Sequence, residues 1–105
     1  MIVTFEKEYL KDLYQKGKTN DKKHRFQSDI IRRYQKCIEF LLVATKIEDL
    51  FTINSLNYEA LKGDKKGISS IRVNNKYRIE FTVKDLSDEP TITVCNIIEL
   101  SNHYK

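Results

Sequence analysis

The fold of this chain is decided between Leu61 and Phe81, in the segment LKGDKKGISSIRVNNKYRIEF. Six of the nineteen basic residues lie in this segment, against two acidic ones. Apolar and polar residues alternate on both sides of Asn74 and Asn75, with the period of two that is typical of β-strands. The segment therefore predicts a lysine-rich turn followed by a β-hairpin.

The apolar residues also set the register of this hairpin. Both strands turn their apolar residues toward the core only if the loop has three residues, 74–76, because a two-residue loop would turn one apolar face outward. Ile71 then pairs with Ile79, and Arg72 lies directly opposite Arg78 on the open face of the sheet. Like charges in this position are unfavourable unless an anion joins them. The register therefore indicates an anion site.

Before Asn57 the apolar residues recur with helical spacing instead. A first helix is expected to end at Gly17, after a short strand at residues 2–5. A second helix, with Ser28 as its expected N-cap, is followed by a helical turn from Ile47 to Phe51. The apolar stripe of the second helix consists of Ile30, Ile31, Tyr34, Cys37, Ile38, Leu41 and Leu42.

A last strand is expected after Pro90. Its pattern with a period of two comprises Ile92, Val94, Asn96 and Ile98. Helices that precede a sheet predict an α+β fold, with the helices packed on one face of a small, mainly antiparallel sheet. A length of 105 residues leaves room for a single domain, residues 1–105.

The composition is that of a basic globular protein. The net charge of +4 permits a polyanionic partner. No apolar run approaches the roughly 20 residues of a membrane span, and the N-terminus has no apolar signal region, so we expect a cytoplasmic protein. Cys37 and Cys95 are expected to be buried thiols. Because they are scattered along the chain with His24 and His103, we expect no metal site, and we interpret His24 as a solvated surface residue.

Several short motifs together resemble the HigB-type toxins of the RelE superfamily. ATKIEDL from Ala44 is followed, in the order and spacing of that family, by LKGD from Leu61, KG from Lys66, SIRVN from Ser70 and YRI from Tyr77. The resemblance implies a RelE-like α+β fold and a toxin neutralised by a cognate helix-turn-helix antitoxin of the HigA type. It also implies that the free toxin enters the ribosomal A site and cuts mRNA without a metal or cofactor.

The C-terminus resembles a different branch of the same superfamily. HigB toxins usually end near Asp-Tyr-His, whereas this chain ends with His103, Tyr104 and Lys105. The His-Tyr ending is similar to that of the YoeB branch. Glu59, in the context Glu-x-Leu-Lys, also stands where that branch places a catalytic glutamate.

The resemblance suggests roles for individual residues in cutting RNA without a metal, which needs a base, an acid and cations for the phosphorane. Glu59 is the candidate base and His103 the candidate acid. Arg72 and Arg78 would clamp the scissile phosphate, and Tyr104 would stack on a base or orient the phosphate. Flanking phosphates are assigned to three residues of the basic turn: Lys62, Lys65 and Lys66.

Each assignment has a simpler alternative. Glu59 could be a solvent-exposed carboxylate at a strand edge, and His103 a surface residue near a chain end. The chain could then be a catalytically inactive module of the same fold that binds RNA or the ribosome and blocks translation without cleavage. A third hypothesis is a protein-interaction domain whose basic face docks an acidic partner.

Overall fold

The described part of the chain forms two helices and one five-stranded sheet. The structure is a computed structural model, and it describes residues 1–102, apart from the side chains of residues 87 and 88. The elements in chain order are β1 (Ile2–Phe5), α1 (Glu8–Gln15), α2 (Ser28–Val43), β2 (Glu59–Ala60), β3 (Ser69–Arg72), β4 (Tyr77–Asp88) and β5 (Thr91–Asn102). Short 3₁₀ turns span Ile47–Leu50, Asn54–Leu56 and Gly63–Lys65.

The sheet is mixed, with the strand order β1-β5-β4-β3-β2. β1 runs parallel to β5, and the other neighbouring strands pair antiparallel. The predicted α+β class and the mainly antiparallel sheet are therefore confirmed. None of the helices within residues 1–102 is both long and apolar enough to cross a membrane.

The hairpin between β3 and β4 has the predicted register. Ile71 lies opposite Ile79, and Arg72 lies opposite Arg78. The side-chain oxygen of Asn74 accepts hydrogen bonds from the main-chain N–H groups of residues 76 and 77, both at 2.8 Å. An asparagine that bonds to the main chain ahead of it stabilises such a turn, so the loop chemistry and the apolar pattern require the same register.

The last strand is present as expected, but the residues whose alternation predicts it do not form its buried face. Thr93, Cys95 and Ile97 point into the core, whereas Ile92 is 39% exposed. Both faces of this strand carry apolar side chains, so alternation alone does not identify the inner one. In addition, Glu80 pairs with Glu99 but the next residue of β4 pairs with Ile97, which leaves residue 98 as a bulge. An extra residue reverses the alternation, and the buried position after Ile97 is therefore residue 100.

The core lies between the helices and one face of the sheet. The apolar stripe of α2 is buried as predicted at Tyr34, Cys37, Ile38 and Leu41, and α1 adds further apolar residues. The hydroxyl of Tyr34 donates a hydrogen bond to the carbonyl oxygen of Leu10 at 2.8 Å, which ties the two helices together.

Two smaller expectations about these elements have different outcomes. Ser28 is not the N-cap of α2. It is the first helical residue, because the carbonyl oxygen of Gln27 already accepts the N–H of Ile31 at 3.1 Å, and Gln27 caps without a side-chain hydrogen bond.

Cys37 and Cys95 are buried free thiols, as expected. Burial raises the pKa of each thiol to about 11.

Candidate active site

Arg78 lies at the floor of the open face of the sheet, and its side chain is 7% exposed. Its Nε donates to the hydroxyl of Ser70 at 2.9 Å. Its Nη2 donates to the carbonyl oxygen of Asn57 at 2.6 Å and to that of Ser70 at 3.4 Å. A buried charge is costly unless hydrogen bonds compensate it, and these acceptors hold the guanidinium in one orientation.

Asn57 supplies one of these acceptors because of its backbone conformation. It follows the 3₁₀ turn Asn54–Leu56 and adopts a positive φ of 43°. Asparagine tolerates this left-handed region better than most residues. The chain therefore turns at Asn57 before it enters the edge strand β2, and the carbonyl oxygen of Asn57 is directed at Arg78.

Arg72 stands opposite Arg78 but in a different environment. Its side chain is exposed, and it donates to the carbonyl oxygen of Asn74 at 3.3 Å and to the side-chain oxygen of Asn75. The expectation that both arginines stand open on the sheet is therefore wrong for Arg78. Each guanidinium bonds to its own set of acceptors.

Glu59 lies next to this pair, on the edge strand β2. It is paired with Ser70 of β3, and its carboxylate oxygen Oε1 is 3.9 Å from Nη2 of Arg78. Residues that are paired across neighbouring strands share a face of the sheet. Because the side chain of Ser70 bonds to Arg78 on the open face, Glu59 projects on the same side as Arg78. Its side chain is 45% exposed, and the carboxylate therefore meets solvent on one side and a fixed positive charge on the other.

A second carboxylate on this face was not anticipated from the sequence. Glu80 is 7% exposed and accepts a hydrogen bond from the ammonium of Lys65 at 2.7 Å. This bond raises the pKa of Lys65. The sequence did contain the signal, because residues 78 and 80 share a face by alternation. The Lys65–Glu80 pair attaches the 3₁₀ turn Gly63–Lys65 to the sheet.

The three lysines of the basic turn therefore differ in their contacts. Lys65 is in an ion pair, whereas Lys62 and Lys66 are exposed and make no ion pair in the part of the chain that the structure describes. Binding of phosphates by Lys62, Lys65 and Lys66 stays a prediction.

A cleft of about 730 Å³ lies along these residues. It is lined by Asn57, Glu59, Arg72, Asn74, Asn75, Lys76 and Arg78. Among these described residues, three cations face one carboxylate, so the cleft favours an anionic group. Arg78 is held in the floor of the cleft and provides a fixed positive charge, whereas the exposed Arg72 provides a guanidinium that can adjust to a ligand.

The expected acid His103 and the expected stacking residue Tyr104 lie outside the described residues. The described part of β5 ends at Asn102, which is paired with Tyr77, and Ser101 is paired with Arg78. β5 therefore runs alongside the row that contains both arginines.

His24 is only partly the solvated residue that we expected, since its side chain is 32% exposed. Its ring stacks on that of Tyr9, with 3.7 Å between ring centroids and 8° between planes. Its Nδ1 lies 2.9 Å from a carboxylate oxygen of Asp21. This contact lowers the pKa of Asp21. Within residues 1–102 there is no group of three or more His, Cys, Asp and Glu side chains that could hold a metal ion.

Solved structures of bacterial toxins share this fold. The YoeB/ParE toxin from Agrobacterium tumefaciens has a TM-score of 0.59 and 18% identity, covering 99% of this chain and 100% of that chain. A structure of the YoeB–YefM complex from Staphylococcus aureus has a TM-score of 0.53 and 20% identity, covering 99% of this chain and 98% of that chain. A YafQ mutant from E. coli has a TM-score of 0.52 and 13% identity, covering 96% of this chain and 91% of that chain. At these identities the likeness shows the fold.

The family itself follows from the sequence comparison. No curated protein matches the chain. However, the family model described as RelE-like toxin of type II toxin-antitoxin system HigB matches residues 3–90, which is most of the chain and includes Glu59, Arg72 and Arg78. The chain therefore belongs to the HigB-like toxins, RelE-like toxins of type II toxin–antitoxin systems.

Proposed function

We propose that this protein is a ribosome-dependent endoribonuclease that cleaves translated mRNA in the A site. The observation that carries the proposal is the buried guanidinium of Arg78, held by Ser70 and Asn57 beside the carboxylate of Glu59. Burying an arginine at the floor of an open cleft is costly. A preorganised positive charge stabilises the negative charge that develops during phosphoryl transfer, and this role would explain why the arginine is buried there.

The reaction needs no external reactant other than the RNA. Glu59 takes the proton of the 2′-hydroxyl, and the 2′-oxygen forms a bond to the adjacent phosphorus. The bond from phosphorus to the 5′-oxygen breaks, and its electron pair stays on that oxygen. His103 then supplies the proton that the departing 5′-oxygen requires. The products are a 2′,3′-cyclic phosphate and a 5′-hydroxyl.

The two arginines have distinct roles in this mechanism. Arg78 is already oriented before substrate arrives, so no reorganisation is needed when charge accumulates on the phosphorane. Arg72 is exposed and binds the non-bridging phosphate oxygens with its planar fork. Glu59, at 3.9 Å from Arg78, is held close to the same phosphate. Tyr104 stacks on a neighbouring base.

We also propose that a cognate antitoxin neutralises the protein, since the chain belongs to a family of type II toxins. The resemblance to HigB-type toxins favours a helix-turn-helix antitoxin of the HigA type. Among the structures with a similar fold, the YoeB of Staphylococcus aureus is in a complex with YefM.

The test uses purified protein and ribosomes programmed with a defined mRNA. RNA ends are mapped at nucleotide resolution, and the chemistry of each terminus is determined. The wild type is expected to cut within the A-site codon and to leave the termini named above. Glu59→Gln, Arg72→Gln and His103→Gln are expected to lower the rate by about 10²–10⁴-fold each, as for the loss of an acid, a base or a charge-stabilising donor.

Arg78 needs a milder substitution, because alanine would leave buried acceptors without a donor. Arg78→Lys keeps the charge and loses the donor fork, so folding is preserved better while the geometry at phosphorus is lost. Intact mRNA in the presence of tight, salt-sensitive ribosome binding by the wild type would refute the nuclease. It would favour instead an inactive RNA- or ribosome-binding module, for which charge removal at Lys62 and Lys66 should matter most.

A further inference from the structure

A second basic cleft lies on the other side of the hairpin loop, between that loop and the start of α2. Its volume is about 780 Å³. Among the described residues, four cations line it, Arg25, Arg33, Arg72 and Lys76, together with the carboxylate of Asp29.

These cations are available to a ligand. All four side chains are exposed. In the described part of the chain, none of them forms an ion pair within 4.0 Å. Four exposed cations around one concave surface create a positive potential there, which attracts a polyanion.

The cleft also contains two aromatic rings. Phe26 and Tyr77 meet edge to face, with 5.4 Å between centroids and 82° between planes, and both are half-buried. Cations combined with partly exposed aromatic rings are the surface on which single-stranded nucleic acids bind, since unpaired bases stack on rings while phosphates meet cations. A duplex would hide its bases from these rings.

The second cleft continues the candidate active site. Arg72, Lys76 and the two asparagines of the hairpin loop line both clefts. An RNA strand whose phosphate lies between Arg72 and Arg78 therefore reaches the second cleft by passing over Arg72, without crossing an uncharged surface.

We infer that the cleft between α2 and the hairpin loop binds the single-stranded RNA that flanks the cleaved phosphate, an inference that rests on the proposed function. Arg25 and Arg33 contact phosphates of this segment, and Phe26 or Tyr77 stacks on one of its bases. The cleft thereby extends the binding site beyond the nucleotides that react.

The test measures binding of a short, fluorescently labelled single-stranded RNA with every ribose 2′-O-methylated, so that no cleavage occurs. The variant Arg25→Gln/Arg33→Gln is compared with the control Arg32→Gln/Lys84→Gln, which removes the same charge from exposed positions outside the cleft. Loss of two phosphate contacts lowers the slope of log affinity against log salt by about 1.4 for a single strand. A fourfold increase in salt should therefore weaken wild type and control about sevenfold more than the cleft variant.

The same titrations are repeated with the RNA annealed to its complement and with vacant ribosomes. The inference requires the cleft variant to lose affinity for the single strand. Equal slopes in the two variants would overturn it, and so would a loss confined to the duplex or to ribosomes, which would indicate contact with ribosomal RNA. Because the methylated RNA cannot be cut, this result is independent of whether the wild type cleaves mRNA in the A site.

Discussion

Ser70→Ala is the most direct test of how Arg78 is held. Ser70 is 1% exposed, and its hydroxyl accepts the Nε–H of Arg78 at 2.9 Å. Alanine keeps the backbone and the β-carbon and removes only this acceptor. Ser69→Ala is a matched control, because Ser69 is the next residue, is 8% exposed and bonds to the hydroxyl of Tyr58 at 2.7 Å on the opposite face of the sheet.

The expected sizes follow from the charge of each partner. A hydrogen bond to a charged group is worth about 1.5–3 kcal/mol, whereas one between two neutral groups is worth about 1 kcal/mol. Ser70→Ala should therefore lower the free energy of unfolding by about 1.5–3 kcal/mol, and Ser69→Ala by about 1 kcal/mol. Only Ser70→Ala loosens the guanidinium, so only it should slow RNA cleavage, by about tenfold. This is less than the roughly 10²–10³-fold loss expected for removing the donor altogether.

The assay pairs chemical denaturation with single-turnover cleavage on programmed ribosomes at saturating protein. Saturation separates a slower chemical step from weaker binding. If Ser70→Ala cuts at the wild-type rate, or if both variants slow cleavage equally, then Ser70 does not position Arg78 for catalysis. A loss of stability no greater than that of Ser69→Ala would show that the bond to Nε carries no charge-assisted energy.

Three further predictions concern stability and pH. Tyr34→Phe removes a buried hydroxyl that donates to a main-chain carbonyl of α1, and calorimetry should show a loss of about 1 kcal/mol; an unchanged melting temperature would contradict the bond. Because the thiol pKa values of Cys37 and Cys95 are about 11, about one thiol in a thousand is ionised at pH 8, and a thiol reagent should modify the folded protein far more slowly than the unfolded one. Fast reaction of either thiol in the native state would refute this. The Lys65–Glu80 bond raises the pKa of the lysine, so its stabilisation is complete below the ordinary lysine pKa and is lost as pH rises through the higher folded value. Denaturation is measured at pH 9 and above pH 11. The difference in the free energy of unfolding between wild type and Lys65→Gln should shrink at the higher pH, and a difference that grows would contradict this prediction.

The hairpin was predictable from sequence because two independent constraints agree. The apolar residues of both strands allow only one loop length, and Asn74 has the side chain that such a turn uses. Once the register is fixed, the cross-strand position of Arg72 and Arg78 follows without knowledge of the rest of the fold. Local alternation thus sufficed for the part of the site that lies within one hairpin.

The burial of Arg78 was not predictable in the same way. It depends on the chain turning at Asn57, twenty-one positions earlier, so that a carbonyl oxygen is directed at Arg78. Alternation shows on which face of the sheet a side chain lies, but not which other parts of the chain cover that face. The same limit applies to β5, which carries apolar side chains on both faces and a bulge at residue 98, so its alternation does not identify the buried face.

The place of β5 in the sheet also bears on how the protein is made. β5 follows the other strands in the sequence, yet it lies between β1 and β4, and Thr4 bonds to Asn96 across 92 positions of chain. During synthesis, β1 therefore has no neighbouring strand, and the long edge of β4 is unprotected, until β5 has been translated. An unpaired edge invites pairing with other chains, and contacts between distant parts of the chain form slowly. The nascent protein thus cannot complete this sheet before β5 has been translated, and any chain that is interrupted before β5 carries the arginines of the hairpin on an incomplete sheet.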